Sequence, residues 1–94
     1  MREYELTIIL DGKASSAKKK TVQSLVEKII SLGKGKMGKV EDWGVKDLMY
    51  KIGKSKTGVY LFFPLELEPE TVKNLSTKLK IEKEILRYLL VRKD

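Results

Sequence analysis

Two segments of helical periodicity, each between segments of strand periodicity, constrain the fold of this chain more than any other feature. Residues 4–10 alternate apolar and polar side chains, which is typical of a half-buried strand. A helix is predicted next, with Ser15 or Ser16 as its N-terminal cap and Gly33 just beyond its end. Its core-facing stripe is Val22, Leu25, Val26, Ile29 and Ile30.

The second half of the chain begins with two strands and returns to a helix. Residues 37–52 are predicted to form one long strand, with a bulge near Gly44 where the alternation changes phase. A loop over 53–58 joins it to a strand over 59–67. Pro69 begins the second helix, and residues 85–91 form the last strand. The stripe of that helix is Val72, Leu75 and Leu79.

The order strand, helix, strand, strand, helix, strand predicts an α+β fold, the ferredoxin-like sandwich. Residues 1–94 are expected to form a single domain with a four-stranded antiparallel sheet and two helices on one face. The first and third strands are then central, and the long second strand is an edge whose unpaired backbone groups invite a partner. Pro64 conflicts with this assignment, because a central strand rarely tolerates a residue without an N–H.

Composition restricts the classes of function that this chain can have. Twenty Lys and Arg against 13 Asp and Glu give a net charge of +7, which suits a polyanion such as nucleic acid. The chain has no Cys and no His, so the usual nucleophiles, proton shuttles and metal ligands are missing. We therefore expect no enzyme, no cofactor, no metal and no small-molecule substrate. No apolar run is long enough to span a membrane and no secretory signal is visible, which predicts a cytoplasmic protein.

Two alternatives follow from the fold order alone. Tyr60 and Phe62 share one face of the third strand and resemble weakly the base-stacking aromatics of an RRM domain, which binds single-stranded RNA. An acylphosphatase-like enzyme would need an Arg in the loop after the first strand, and that loop, residues 11–16, has none. Glu66 and Glu68 lie on one strand face, but two alternating acids are typical of a solvated face.

Two stretches carry a more specific resemblance. The opening Met1-Arg2-x-Tyr4-Glu5 and the segment over 40–54, which contains Trp43-Gly44-Val45-Lys46, are similar to the bacterial small-subunit ribosomal protein six family. Gly58 at the start of an aromatic strand, Glu66 and the tail over 81–91 also match its pattern. The resemblance extends over almost the whole chain.

The resemblance implies a structural role in the small ribosomal subunit. Such proteins pair with ribosomal protein eighteen and together bind the central domain of small-subunit ribosomal RNA. The partner surface is expected on the second strand, at Glu41, Asp42, Trp43, Lys46 and Asp47. RNA contacts are expected at Arg2, Tyr4, Arg87, Arg92 and Lys93. The charge and exposure expected of the hairpin loop add Lys54 and Lys56. An organellar ribosome is an alternative location, since a transit peptide can be removed.

Overall fold

The computed structural model describes residues 1–52 and 54–93 and, within them, every side chain except those of residues 49–51. The first half of the chain contains β1 (Arg2–Asp11), α1 (Ser16–Leu32), β2 (Lys36–Met37) and β3 (Glu41–Ile52). The second half contains β4 (Ser55–Leu67), α2 (Pro69–Ile81) and β5 (Ile85–Arg92). No described helix is both long and apolar enough to cross a lipid bilayer.

All strand pairings in the sheet are antiparallel, and β1 and β4 lie at its centre. Strand β5 forms one edge beside β1, while β2 and β3 both pair with β4 and together form the other edge. The ferredoxin-like fold is therefore confirmed, but the sheet has five strands where the sequence predicts four. The predicted second strand is interrupted at residues 38–40. The predicted loop over 53–58 is also too long, since β4 already begins at Ser55.

Alternation along the central strands gives the sheet one covered and one uncovered face. The even-numbered apolar residues of β1 and the odd-numbered residues of β4 from Val59 to Leu67 are buried beneath the helices. The core consists of these residues and the predicted helix stripes except Leu25, which is only partly buried. The largest fully buried side chains include Leu6, Ile8, Leu61, Phe63 and Leu75. Each such side chain contributes about 1.5–3 kcal/mol by leaving water. We call the opposite face, which carries Thr7, Ile9, Tyr60 and Phe62, the open face.

The break between β2 and β3 explains how Pro64 fits into a central strand. The carbonyl oxygen of Pro64 accepts a hydrogen bond from the backbone N–H of Gly38 at 2.8 Å. In an antiparallel strand the N–H and C=O of one residue point to the same neighbour, so the missing N–H of Pro64 faces this break. The pairing with β1 loses no hydrogen bond, because Glu5 and Pro64 are opposite residues that do not hydrogen-bond to each other.

Both helices begin close to the predicted residues, and α1 also ends where predicted. Ser15 caps α1, where its Oγ accepts a hydrogen bond from the backbone N–H of Lys18 at 3.2 Å. The helix ends at Gly33, whose N–H donates to the carbonyl of Ile29. Pro69 occupies the first turn of α2 together with Glu70, an acid at the positive end of the helix dipole.

Candidate binding surfaces

A bulge interrupts the β3 edge at the predicted position. The pairing with β4 shifts register between Asp42 and Val45, and Gly44 has a φ of 80°, a conformation that favours glycine. Oδ1 of Asp42 accepts the Gly44 N–H at 2.8 Å, while Oδ2 lies 3.2 Å from Nζ of Lys19 on α1. The Gly44 N–H and, secondarily, Lys19 hold the pKa of Asp42 below its ordinary value. These contacts fix the bulge against α1.

Trp43 lies within the bulge, on the open face beside two aromatic residues of β4. The indole stacks on Phe62, with ring centroids 5.0 Å apart and an angle of 13° between the planes. Nζ of Lys46 lies 5.7 Å from the Trp43 ring centroid and 5.8 Å from that of Tyr60, which is within cation–π range. Trp43 still exposes 43% of its surface. We call Trp43, Lys46, Tyr60 and Phe62 the aromatic patch.

The five residues expected at the partner surface divide between the two faces. Glu41 lies opposite Phe62 and Lys46 opposite Gly58, so both stand on the open face with Trp43. Asp42 and Asp47 lie opposite Leu61 and Thr57, which places them on the helix side. The structure thus brings Glu41, Trp43 and Lys46 together but separates the two aspartates from them.

The residues expected to contact RNA lie towards two ends of the sheet. Arg2, Tyr4, Arg92 and Lys93 share one end, where Tyr4 pairs with Arg92 and the Lys93 N–H donates to the Glu3 carbonyl at 2.8 Å. We call this the Arg2 end. Arg87, opposite Ile9 on the open face, lies about 17 Å along β5 from Arg92.

The other RNA candidates require two corrections. Lys54 follows β3 and Lys56 lies within β4, so both are at the end opposite the Arg2 end, and Lys56 is a strand residue and not a loop residue. Both side chains are exposed. Tyr4 exposes only 9% of its surface and packs in the core, which removes it from the candidate RNA surface. The strand alternation that predicts Tyr4 as a core residue was therefore the better guide.

Three acids cluster on the open face at the Arg2 end, which the sequence interpretation missed. Glu3 and Glu66 lie directly opposite each other, and with Glu5 they border a groove of about 220 Å³ between Lys36 and Lys93. Register alone brings these acids together, so a linear sequence gives little sign of them. Among the residues that the structure describes, no group of His, Cys, Asp or Glu side chains could hold a metal ion.

The family assignment follows from comparison of the whole chain with known proteins. A family model described as Ribosomal protein S6 matches residues 3–92. The small ribosomal subunit protein bS6 of Corynebacterium urealyticum is 35% identical over 97 residues, covering 100% of this chain and 99% of that protein. The protein of the same name from Streptomyces griseus is 34% identical over 97 residues, covering 100% and 98%.

Structural comparison agrees. The crystal structure of 30S ribosomal protein S6 from Thermotoga maritima has a TM-score of 0.88 to this chain at 27% identity, covering 98% of this chain and 87% of that chain. The C-terminal domain of the MgtC protein from Mycobacterium tuberculosis, with a TM-score of 0.66 at 8% identity, shares only the fold. The chain therefore belongs to the ribosomal protein S6 family, whose members are structural, non-enzymatic components of the small ribosomal subunit.

Proposed function

We propose that this protein binds the central domain of small-subunit ribosomal RNA together with ribosomal protein eighteen on the bacterial ribosome. The aromatic patch on the bulged edge is the observation that carries this proposal. A half-exposed Trp stacked on Phe62 and flanked by Lys46 supplies the aromatic and cationic groups that protein interfaces favour. The partner protein binds the β3 edge and the open face beside it.

The charged residues at the two ends of the sheet bind RNA backbone. Arg2, Arg92 and Lys93 at the Arg2 end, with Arg87, Lys54 and Lys56 further along, contact phosphates. Contacts of this kind position the RNA without reading its sequence, so specificity comes from the shape of the RNA and from the partner. Their strength decreases as salt rises, because binding releases counterions.

The partner surface is tested with Trp43→Ala combined with Lys46→Glu. We expect this variant to lose at least tenfold in affinity for ribosomal protein eighteen by calorimetry, since a hot-spot residue is truncated and a charge reversed. Leu89→Ala is the matched control, because Leu89 is an exposed large side chain on the same open face near the opposite edge. Equal affinity of both variants would remove the aromatic patch from the interface.

A second candidate function has one observation in its favour. Tyr60 and Phe62 stand on the open face, where an RRM-like domain stacks bases. The chain itself, however, covers one side of Phe62 with Trp43, and Lys46 lies over Tyr60. Binding of short single-stranded RNA by this protein alone, abolished by Tyr60→Ala with Phe62→Ala, would favour this second function over the first.

A further inference from the structure

The helices carry most of the excess positive charge. Helices α1 and α2 hold seven Lys against Glu27 and Glu70, a surplus of five within the net +7 of the chain. Lys18 pairs with Glu84 at 3.5 Å and Lys19 with Asp42 at 3.2 Å. The five other helix lysines are exposed and have no ion pair within the described part of the chain; they are Lys20, Lys28, Lys73, Lys78 and Lys80.

A groove of about 290 Å³ separates the two helices on their outer side. Ile29 and Leu32 of α1 line one wall, and Asn74, Thr77 and Lys78 of α2 line the other. The helices approach closely at its end, since a Cβ on Gly33 would overlap Oγ1 of Thr71. The groove therefore combines an apolar wall with a wall of hydrogen-bonding groups.

Helical periodicity places several lysines along this groove. Lys28 and Lys73 stand one helical turn before the groove residues Leu32 and Thr77, on the exposed outer faces of their helices beside the groove. Lys78 lines the groove itself, and Lys34 follows Gly33 at its end. The acids of the two helices are Glu27 and Glu70, so these four lysines outnumber them two to one.

The Gly33–Thr71 end of the groove lies near the arginines of the Arg2 end. Helix α2 begins just after Leu67, the residue opposite Arg2, and α1 ends against Thr71. Arg2 and Arg92 lie on the helix side of the sheet, because their strand partners Leu67 and Tyr4 are core residues. The open face at this same end carries Glu3, Glu5 and Glu66 beside Lys36 and Lys93, so positive and negative charges nearly balance there. A phosphate chain that contacts these arginines meets a larger excess of positive charge on the helix side.

We propose that the groove between α1 and α2 binds a segment of RNA backbone. Lys28, Lys34, Lys73 and Lys78 contact its phosphates, while Asn74 and Thr77 donate or accept hydrogen bonds at the riboses. This inference rests on the proposed function and extends the RNA surface from Arg2 and Arg92 across the helices. A flat anionic membrane is a poorer match, since it cannot reach polar groups inside a groove.

The test compares two variants that each lose four lysines. The groove variant carries Lys28→Ala, Lys34→Ala, Lys73→Ala and Lys78→Ala; the control carries Lys13→Ala, Lys20→Ala, Lys39→Ala and Lys83→Ala, all at exposed positions. Both have the same net charge, so a nonspecific electrostatic effect is equal in both. Affinity for a labelled central-domain RNA fragment is measured with ribosomal protein eighteen present, over a series of salt concentrations. Thermal unfolding verifies that both variants fold.

We expect the groove variant to bind at least tenfold more weakly than the control, with a salt slope about 3 smaller, since each lost phosphate contact removes about 0.7–0.9. Groove and control variants with equal affinity and slope overturn the groove while leaving the proposed function intact. Failure of the unmodified protein to bind the fragment overturns both. Wild-type binding to vesicles of anionic lipid that the groove variant loses, with RNA binding unchanged, also overturns the proposal.

A second readout uses the absence of cysteine from the chain. A single Cys at Ser31, exposed on the last turn of α1, carries an iron chelate that cleaves nearby RNA. The same chelate at Lys39→Cys, on the gap between β2 and β3, is the control. Cleavage of the bound fragment from position 31 and not from position 39 supports the groove, and the reverse pattern overturns it.

Discussion

The two edges of the sheet differ in almost every feature that governs strand pairing. The edge formed by β2 and β3 is interrupted at residues 38–40, bulged at Gly44 and rich in charged residues. Strand β5 at the opposite edge runs for eight residues, pairs with β1 in one register from Arg87 to Arg92, and carries exposed Leu89 and Val91. Arg87 and Arg92 are its charged side chains.

The difference indicates that an irregular backbone can position side chains for contact as well as prevent the edge from pairing with a foreign strand. A bulge and charges discourage pairing with a foreign strand, which accounts for the β3 edge in part. The same bulge also reverses the alternation after Trp43, so that Lys46 lies beside Trp43 on the open face. Strand β5 has no bulge between Arg87 and Arg92, so these two arginines lie on the faces of the sheet that strand alternation predicts. The proposed partner surface thus lies where the strand pairing is interrupted, whereas Arg87 and Arg92 lie where it is regular.

The largest effect is expected when proline is introduced into the regular edge. The Lys93 N–H donates to Glu3, so the odd-numbered residues of β5 hydrogen-bond to β1, and Leu89 lies opposite Thr7. Leu89→Pro removes that donor and leaves a carbonyl of β1 unsatisfied. We expect a loss of about 3 kcal/mol in the free energy of unfolding, measured with urea, at the upper end of the range for such a group.

Leu89→Ala is the control for side-chain loss, because Leu89 exposes 61% of its surface. It should change the unfolding free energy by less than about 1 kcal/mol. Near-equal stability of the proline and alanine variants would show that β5 does not depend on its ladder. Pro64 on β4 would then need a different explanation from the one given by the break beside it.

A smaller effect is expected at the bulge. A Cβ on Gly44 would meet nothing within 4 Å, so Gly44→Ala tests the backbone conformation alone. With φ at 80°, the substitution should cost about 1–2 kcal/mol. Gly44→Asn should cost less, because Asn tolerates this region. The single Trp reports the local change, and an alanine variant with unaltered stability and fluorescence would argue against the bulge.

The smallest effect concerns the carboxylate that holds the bulge. The Gly44 N–H lowers the pKa of Asp42. Ionised Asp42 therefore stabilises the fold at pH values above its ordinary pKa of 3.8. That contribution is lost as pH falls through the lowered pKa. Because the side chain is 42% exposed, Asp42→Asn should cost less than about 1 kcal/mol at neutral pH and less still near pH 2. Asp47→Asn on the same strand is the control, and an identical pH profile for the two would contradict the assignment.

Sequence periodicity predicted the helices, the core stripes and the position of the bulge, because each depends on local spacing. The features that sequence periodicity did not predict depend on strand register across the sheet. The bulge inserts a residue and reverses the alternation, so Lys46 joins Glu41 on the open face while Asp47 leaves it. The break beside Pro64 requires knowledge that Gly38 is its neighbour. The stacking of Trp43 on Phe62 and the acids at the Arg2 end likewise depend on pairing between strands distant in sequence.

The most direct test of the central claim is the affinity of the unmodified protein for a labelled central-domain fragment of small-subunit ribosomal RNA, with and without ribosomal protein eighteen. Measurement at two salt concentrations separates phosphate contacts from the partner's contribution. The proposed function predicts tight binding only when both proteins are present, with affinity that falls steeply as salt rises. Unchanged affinity on addition of the partner, or no binding in its presence, would contradict it.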